Sequence, residues 1–251
     1  MMKKRILLSL SLLVLLIAAV IAAILFSSSS STKKETAQSA HERTAQTNKN
    51  AALLKDLPDA KRSDWELVLV SRDSPQPEMN PDLATVGNIQ VDQRIVQSTE
   101  QFLAAAQKIS PAEHLISGYR SVAYQNTLYE GYIKDEMEGH GTVNTDGSTI
   151  SREQAIKNVQ TYSQPPESSE HNTGLAIDMS DIDSLNESTV AQQVAELAPD
   201  YGFVLRFPKD KKSTTGVDYE DWHFRYVGVE NAKYMTTHHL TLEEYRSLLP
   251  D

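Results

Sequence analysis

The amino-acid sequence predicts an α+β domain, with helices flanking a small antiparallel sheet, preceded by a transmembrane helix at the N-terminus. Apolar residues recur at helical spacing mainly in the first half of the domain, whereas short segments rich in β-branched and aromatic residues cluster later. This arrangement is typical of the α+β class. Of the 251 residues, those after position 60 suffice for one compact domain.

Residues 1–26 have the pattern of a membrane anchor. Three basic residues at positions 3–5 precede an apolar run, 6–26, which is interrupted only by two serines and is about as long as a membrane-spanning helix. Basic residues on the short side predict that the rest of the chain lies outside the cytoplasm. A cleaved secretory signal shares this charged start, but its apolar centre is usually only about 7 to 15 residues long. We therefore expect an uncleaved, single-pass anchor.

Residues 27–60 predict a flexible polar linker that leads to a domain at 61–251. From position 27 to 50 there is no large apolar residue, so the linker cannot bury enough surface to offset the entropy lost on ordering. The net charge of −10 argues against nucleic acid as the main partner. The absence of cysteine excludes disulfides and thiol catalysis, so a transition metal would need histidine and carboxylate ligands.

The first elements of the domain follow from residue type and spacing. Residues 65–70 are rich in β-branched and aromatic side chains and predict a strand. Three prolines make 74–81 a loop. Apolar residues at helical spacing predict a helix at 91–108, and a short strand at 115–117 stops at a glycine.

Two further helices complete the first half of the domain. Residues 121–137 carry apolar and aromatic side chains at roughly helical spacing, with Ser121 as the N-cap. A loop follows at 139–147, and Ser151 opens the next helix.

The second half of the domain is predicted to supply most of the sheet. Strands are expected at 174–179, 203–207 and 223–226, with a helix at 188–198 between the first two. Thr241 opens a last helix, in which a glutamate three residues later completes a capping box.

His171 and Asp178 are the first candidate metal ligands. His171 lies in a loop, and a glycine three residues later allows a tight turn into the strand that contains Asp178. Alternation along this strand puts Asp178 on the face opposite to the apolar Ile177 and Met179, and therefore towards an open site. A loop histidine and a turn-capping aspartate are the alternative interpretation of this pair.

Glu220 and His223 strengthen the metal hypothesis. A catalytic zinc ion usually has three protein ligands and one position for water, and a nearby carboxylate is needed to transfer protons. Residues three apart on a regular strand face opposite sides, so Glu220 must lie at the strand entrance, or residues 221–222 must form a bulge or turn. The alternative is a charged loop entering a strand, with His223 bonded to a backbone carbonyl.

Arg120 is the third element of the candidate site. It lies at the junction of a strand and a helix, where its guanidinium can bind a carboxylate or an oxygen that becomes negative during a reaction. A surface salt bridge is the alternative. Arg225 shares a strand face with His223 and is a candidate for orienting the site.

Together these motifs resemble the zinc D-alanyl-D-alanine carboxypeptidases, a family that includes the vancomycin-resistance D,D-peptidases and the streptococcal and bacillary L,D-carboxypeptidases. The resemblance covers nearly all of the chain from Trp65 to Tyr245 and implies a fold of the Hedgehog/D,D-peptidase type. The matching segments are Ser-Gly-Tyr-Arg-Ser at 117–121, Gln125 with Leu128 and Tyr129, Ser-x-His-x-x-Gly-x-Ala-x-Asp at 169–178, Gly202 with Phe203, Arg206 to Pro208, Thr215 with Gly216, and Glu-x-Trp-His-Phe-Arg-Tyr-Val-Gly at 220–228.

The resemblance implies a Zn2+ ion held by His171, Asp178 and His223. It also implies that Glu220 acts as general base and general acid, and that Arg120 contacts the scissile region of the substrate.

Gln125 and Ser169 are implied to line the substrate site. Asp221 departs from the family, since many relatives have proline there, and we expect this change to be tolerated because Asp221 carries no chemistry itself.

Peptidoglycan stem peptides are the implied substrates. Release of their terminal D-alanine would trim the cell wall. The substrate could be a pentapeptide (D,D activity) or a tetrapeptide (L,D activity), and the sequence leaves this choice open. We expect a monomer that is held by its anchor at the outer face of the cell membrane. An endopeptidase of the same fold and a non-catalytic wall-binding module are the alternatives, and the module would be expected to lack the base or a ligand.

Overall fold

The computed structural model describes residues 53–183 and 186–251. The compact unit Pro58–Asp251 contains every element discussed below. No helix among the described residues is long and apolar enough to cross a bilayer. The anchor predicted at 1–26 lies outside the described residues, as does most of the predicted linker.

Short strands and helices alternate along this compact unit. The helices are α1 Val96–Ala106, α2 Val122–Glu138, α3 Arg152–Val159, α4 Ala191–Leu197, α5 Lys212–Thr215, α6 Val229–Thr237 and α7 Leu242–Leu248. The strands are β1 Leu83–Val86, β2 Ile89–Asp92, β3 His114–Ser117, β4 Ala176–Ser180, β5 Phe203–Leu205 and β6 His223–Tyr226. The predicted α+β class is confirmed.

A four-stranded antiparallel sheet forms the centre of this unit, with the strand order β3-β4-β6-β5. Strand β4 lies between β3 and β6, and its pairing with β6 places Asp178 directly opposite His223. Strands β1 and β2 form a separate antiparallel hairpin. The register of the central sheet therefore brings two of the candidate ligands together.

One face of the central sheet carries the main hydrophobic core. Ile177 of β4 and Phe224 of β6 are fully buried there with Phe102 of α1. The ring of Phe102 meets Phe224 edge-on, with centroids 5.0 Å apart, and stacks on Phe203 at 5.3 Å. Because side chains alternate along a strand, the neighbouring pair on β4 and β6 faces the opposite side, away from this core.

Helix α2 begins beside the end of β3 and carries a smaller core. The hydroxyl of Ser121 accepts a hydrogen bond from the N–H of Tyr124 at 3.1 Å, which confirms the predicted N-cap. Arg120 lies one residue before this cap. Helices α2 and α3 bury a shared cluster consisting of Tyr129, Ile133, Ala155 and Val159.

The strand predicted at 65–70 is wrong, because this segment contains a 3-10 turn at Trp65–Leu67. Its carbonyl groups bond to a side chain rather than to a neighbouring strand. Nη2 of Arg225 donates to the carbonyl oxygens of Glu66 at 2.9 Å and of Val68 at 2.8 Å. The apolar side chains that suggested a strand are used for burial, as the complete burial of Leu67 shows.

The helix predicted at 91–108 begins later, at Val96, because residues 89–92 pair with β1. Asp92 ends that strand, and its carboxylate accepts a hydrogen bond from the N–H of Arg94 at 2.9 Å, which starts a 3-10 turn before α1. The β1–β2 hairpin and helices α5 and α6 are not among the predicted elements. The remaining predicted strands and helices are confirmed within a few residues at each end.

Candidate active site

The three candidate ligands come from two neighbouring strands and the turn before them. Asp178 lies in β4, His223 begins β6, and His171 lies in a 3-10 turn that Gly174 ends with a φ of 70°. A Cβ at Gly174 would lie 2.9 Å from a backbone nitrogen of β2, so both backbone conformation and space require glycine there. The turn therefore packs against β2 and carries His171 to the open face of β4.

The ligand atoms of these three residues lie within 4.8 Å of one another. Oδ1 of Asp178 is 3.2 Å from Nδ1 of His223, and Oδ2 is 3.4 Å from Nε2 of His171. The two imidazole rings meet edge to face with centroids 4.9 Å apart. Two imidazoles and a carboxylate at this spacing form a group that can hold a divalent metal ion.

A backbone carbonyl fixes the orientation of His171. Nδ1 donates to the carbonyl oxygen of Gly118 at 2.7 Å, so Nε2 is left as the unprotonated nitrogen and faces Asp178. Burial, followed by the charge of Arg120, lowers the pKa of His171 to about 4. Nε2 is buried and has no hydrogen-bond partner among the described residues, as expected for an atom that binds a metal.

Asp178 and His223 are the charged residues among the three candidate ligands. Burial alone would raise the pKa of Asp178, but His171 and His223 hold it well below its usual range. Burial would also lower the pKa of His223, but the nearby carboxylates of Asp178 and Glu170 raise it to about 9. The carboxylates around His223 therefore stabilise positive charge at this position, whether a proton or a metal ion carries it.

Glu220 reaches the same point from the chain that leads into β6. Its Oε2 lies 3.6 Å from Nδ1 of His223. The geometric requirement set by their spacing is met, because residues 221–222 bend before the strand begins. Asp221 and Asn186 fix the bend through reciprocal hydrogen bonds, each from a backbone N–H to the other side chain at 3.1 Å. Burial raises the pKa of Glu220 to about 8.

Arg120 lies on the opposite wall of the same site. Its backbone N–H donates to the carbonyl oxygen of His171 at 3.1 Å, which ties the start of α2 to the turn that carries the ligand. Its Nε is buried and has no hydrogen-bond partner among the described residues. The guanidinium is therefore available to a ligand in the site.

A cavity of about 650 Å³ connects these groups and extends beyond them. Its lining includes His171, Asp178, Glu220, His223 and Arg120. Residues of α2 and of the segment after α3 also line it, among them Tyr124, Leu128, Tyr132, Thr161 and Tyr162. A cavity of this volume with both charged and aromatic lining residues is suited to a polar ligand larger than a single small ion.

Ser169 and Gln125 have different positions relative to this cavity. Ser169 is among the lining residues. Gln125 is buried behind the wall, and its Nε2 donates to the carbonyl oxygen of Gln164 at 2.7 Å, while Gln164 itself lines the cavity. Gln125 therefore supports a lining segment.

Glu170 is a site residue for which the sequence reasoning gave no role. It lies between Ser169 and His171, is 3% exposed, and its Oε2 is 3.7 Å from Nε2 of His223. An acidic residue beside a candidate ligand was the available signal, but its partners Arg206 and Arg225 come from distant positions in the chain. Arg225, proposed to orient the site, contacts Glu170 rather than a candidate ligand.

Comparison with known proteins places this site in a family context. The family model described as "VanY: D-alanyl-D-alanine carboxypeptidase" matches residues 88–229, which is more than half of the chain and includes the candidate ligands, Glu220 and Arg120. A D-alanyl-D-alanine carboxypeptidase of Enterococcus faecium is 31% identical over 166 residues. That match covers 65% of this chain but only 46% of the relative, so the chain spans about half the length of that protein.

Two solved structures have similar folds. One is a variant of the vancomycin-resistance D,D-pentapeptidase VanY from a VanB-type cassette, in complex with Zn(II). It has a TM-score of 0.63 and 31% identity, and the match covers 72% of this chain and 99% of that one. The other is the L,D-carboxypeptidase DacB of Streptococcus pneumoniae, with a TM-score of 0.55, 31% identity and coverage of 72% and 86%. The match over residues 88–229 and these folds agree that the chain is a member of the VanY family of D-alanyl-D-alanine carboxypeptidases.

Proposed function

We propose that this protein is a zinc-dependent carboxypeptidase that removes the C-terminal D-alanine from peptidoglycan stem peptides. The observation that carries the proposal is that His171, Asp178, His223, Glu220 and Arg120 all line a single cavity. Membership of the VanY family supports the reaction class.

Zinc is the proposed metal because the donor set fits it. Two imidazoles and one carboxylate make up a common ligand set of catalytic zinc, and the unpartnered Nε2 of His171 provides a lone pair for it. The solved VanY neighbour is in complex with Zn(II). Bound there, Zn2+ would supply a Lewis acid that activates water and polarises the substrate carbonyl.

Glu220 is the proposed proton carrier. Its carboxylate would accept a proton from the attacking water as the new C–O bond forms, and would give that proton to the amine nitrogen as the C–N bond breaks. The departing D-alanine then leaves with a neutral amine. The position of Glu220 beside His223, at 3.6 Å, supports this role because one carboxylate must reach both the water and the leaving group.

Arg120 is the proposed electrostatic partner of the reacting carbonyl. Its Nε has no hydrogen-bond partner among the described residues, and its backbone is fixed to the turn that carries His171. A guanidinium held in this way stabilises the negative charge that develops on the carbonyl oxygen, without reorganisation during the reaction.

The proposed location is the outer face of the cell membrane, with residues 1–26 as a single-pass anchor. This location would give the domain access to peptidoglycan, which agrees with the chemistry proposed for the site. All the groups of the proposed mechanism come from one chain, which is consistent with a monomeric enzyme.

Digestion of defined muropeptides tests the reaction. Purified protein would be incubated with tetrapeptide and pentapeptide muropeptides, with and without a chelator, and the products would be weighed by mass spectrometry. We expect loss of a single alanine from one or both, abolished by the chelator and restored by Zn2+. Both substrates must be assayed, because the similar solved structures include a D,D-pentapeptidase and an L,D-carboxypeptidase. Cleavage within the peptide would instead indicate an endopeptidase.

A matched pair of variants tests the mechanism. Glu220→Gln is expected to keep its metal but to lose about 100-fold to 10,000-fold in turnover, the usual contribution of general acid–base catalysis. Glu100→Gln is the control, because it makes the same substitution at an exposed position of α1, and it should keep normal turnover. Near-normal activity of the Glu220 variant would contradict the proposed role, and absence of hydrolysis by the wild-type protein would favour a non-catalytic wall-binding module.

A further inference from the structure

We infer that Glu170 is a positioning residue for the metal centre, which holds the proton of His223 on Nε2 so that Nδ1 is presented to the metal. The inference rests on the proposed metal site, and it assigns a task to a buried charge that the proposed mechanism does not use.

The two carboxylate oxygens of Glu170 face different partners: Oε1 contacts two arginines and Oε2 faces His223. Oε1 accepts hydrogen bonds from Nε of Arg206 at 2.8 Å and from Nη1 of Arg225 at 3.0 Å. Oε2 is buried, has no hydrogen-bond partner among the described residues, and faces Nε2 of His223 at 3.7 Å. That distance exceeds an ordinary N–H···O bond by about 0.8 Å. Nε2 of His223 also has no hydrogen-bond partner among the described residues, so the two unpartnered atoms face each other.

The other ring nitrogen of His223, Nδ1, faces the carboxylates of the proposed metal site. Nδ1 lies 3.2 Å from Oδ1 of Asp178 and 3.6 Å from Oε2 of Glu220. A neutral imidazole carries one proton, so a proton on Nε2 leaves Nδ1 with the lone pair that a metal ion needs. A carboxylate on Nε2 therefore selects the tautomer that binds metal and also raises the basicity of the ring.

The two arginines keep Glu170 in its place and ionised. Arg206 is held by Glu243, with Nη2 to Oε1 at 2.6 Å and Nη1 to Oε2 at 3.1 Å. Arg225 is held by two backbone carbonyls near the start of the compact unit. Both guanidinium groups donate to Oε1, so they stabilise the carboxylate form of Glu170 and leave Oε2 as an acceptor for the N–H of the imidazole.

The 3-10 turn explains how neighbouring residues act on one metal centre from two sides. Successive side chains on such a turn point in directions about 120° apart. The side chain of His171 contacts Gly118 and Asp178. The side chain of Glu170 faces His223 and contacts Arg206 and Arg225. The same turn therefore supplies one ligand directly and orients another.

Metal affinity tests this inference without reference to peptide hydrolysis. The Zn2+ dissociation constants of the full chain and two variants would be measured by competition with a chromophoric chelator. Glu170→Gln is expected to bind Zn2+ about 10-fold to 100-fold more weakly, the usual effect of losing a partner of a ligating histidine. Glu243→Gln is the matched control, because it removes an equal charge from Arg206 but does not contact His223. Equal affinities of the two variants would overturn the inference.

A measurement on the wild-type protein decides the question even if Glu170→Gln fails to fold. Long-range 1H–15N correlation of the histidine rings in the Zn2+-loaded chain identifies which nitrogen carries the proton. We expect a proton on Nε2 of His223 and a metal-bound Nδ1, whereas His171 should have a proton on Nδ1. A proton on Nδ1 of His223 would overturn the inference. Both readouts remain valid if the protein proves to act on a different peptide, so failure of the substrate assignment is distinguishable from failure of this inference.

Discussion

Replacing Glu113 by glutamine is expected to stabilise this protein in mildly alkaline solution but not in acid. Glu113 immediately precedes β3, is 2% exposed, and its Oε2 has no hydrogen-bond partner among the described residues. His114 pairs with Ser180 across β3 and β4, which brings Asp181 next to Glu113. Burial, followed by the charge of Asp181, raises the pKa of Glu113 from 4.5 to about 7.

The direction of the pH dependence follows from this shift. Between about pH 4.5 and pH 7 the folded chain keeps a proton on Glu113 that the unfolded chain releases. The free energy of unfolding of the wild-type chain therefore falls as pH rises through this window, and the loss is complete above pH 7. A shift of this size corresponds to roughly 3 kcal/mol. Glutamine has the same shape and does not ionise, so the variant avoids the loss.

Urea denaturation of both proteins, with chelator present so that metal binding does not contribute, measures the difference. At about pH 4 the two free energies of unfolding should nearly agree, and at about pH 8 the Glu113→Gln variant should exceed the wild type by roughly 3 kcal/mol. The exposed Glu100→Gln should show no such pH-dependent gain. An equal gain at both pH values, or a variant less stable than the wild type at pH 8, would refute the reasoning.

Three further substitutions test the packing around the site. Phe102→Ala removes a fully buried ring that contacts Phe203 and Phe224 and should cost about 3 to 5 kcal/mol in denaturant unfolding, whereas a cost below about 1 kcal/mol would contradict the described core. Gly118→Ala places a Cβ against the carbonyl oxygen of Gln90 and so displaces the Gly118 carbonyl, which accepts a hydrogen bond from His171. Calorimetric titration should therefore show weaker Zn2+ binding, and unchanged affinity would count against this orientation of His171. Thr241→Ala removes the capping box of α7 and should cost about 1 kcal/mol, measurable as a lower thermal midpoint, with no effect if the cap is unimportant.

Local signals in the sequence were sufficient where the determinant is local. The caps Ser121 and Thr241 satisfy N–H groups within three residues, so their sequences predict the helix starts well. The hairpin of β1 and β2 had such a signal too, because Gly87 and Asn88 form the two-residue connection between Val86 and Ile89, with a φ of 56° at Gly87.

The strand wrongly predicted at 65–70 depends on distant partners. The carbonyl groups of this segment are bonded by Arg225 and also by Arg246, which donates to the carbonyl oxygen of Leu67. Residue composition alone favours a strand here, and only the folded chain shows that side chains satisfy the backbone.

The candidate site shows the same division. His171, Asp178, Glu220 and His223 were predicted as site residues from their motifs, because these residue types can bind metal ions and transfer protons. The placement of Glu170 needs two arginines that arrive with β5 and β6, so no spacing in the sequence reveals it.

The register of β4 with β6 has a consequence for how proteins with this fold can diversify. Asp178 and His223 are set opposite each other by strand pairing, not by the length of the chain between them. Surface loops within residues 181–222 can therefore lengthen or shorten while the separation of the two ligands stays constant, and a doubled loop costs only about 0.6 kcal/mol in closure entropy. These loops border the cavity through Asn186, Asp218 and Tyr219. The proposed metal site can thus be combined with differently shaped rims, so that ligands of different length would reach an unchanged set of candidate site residues.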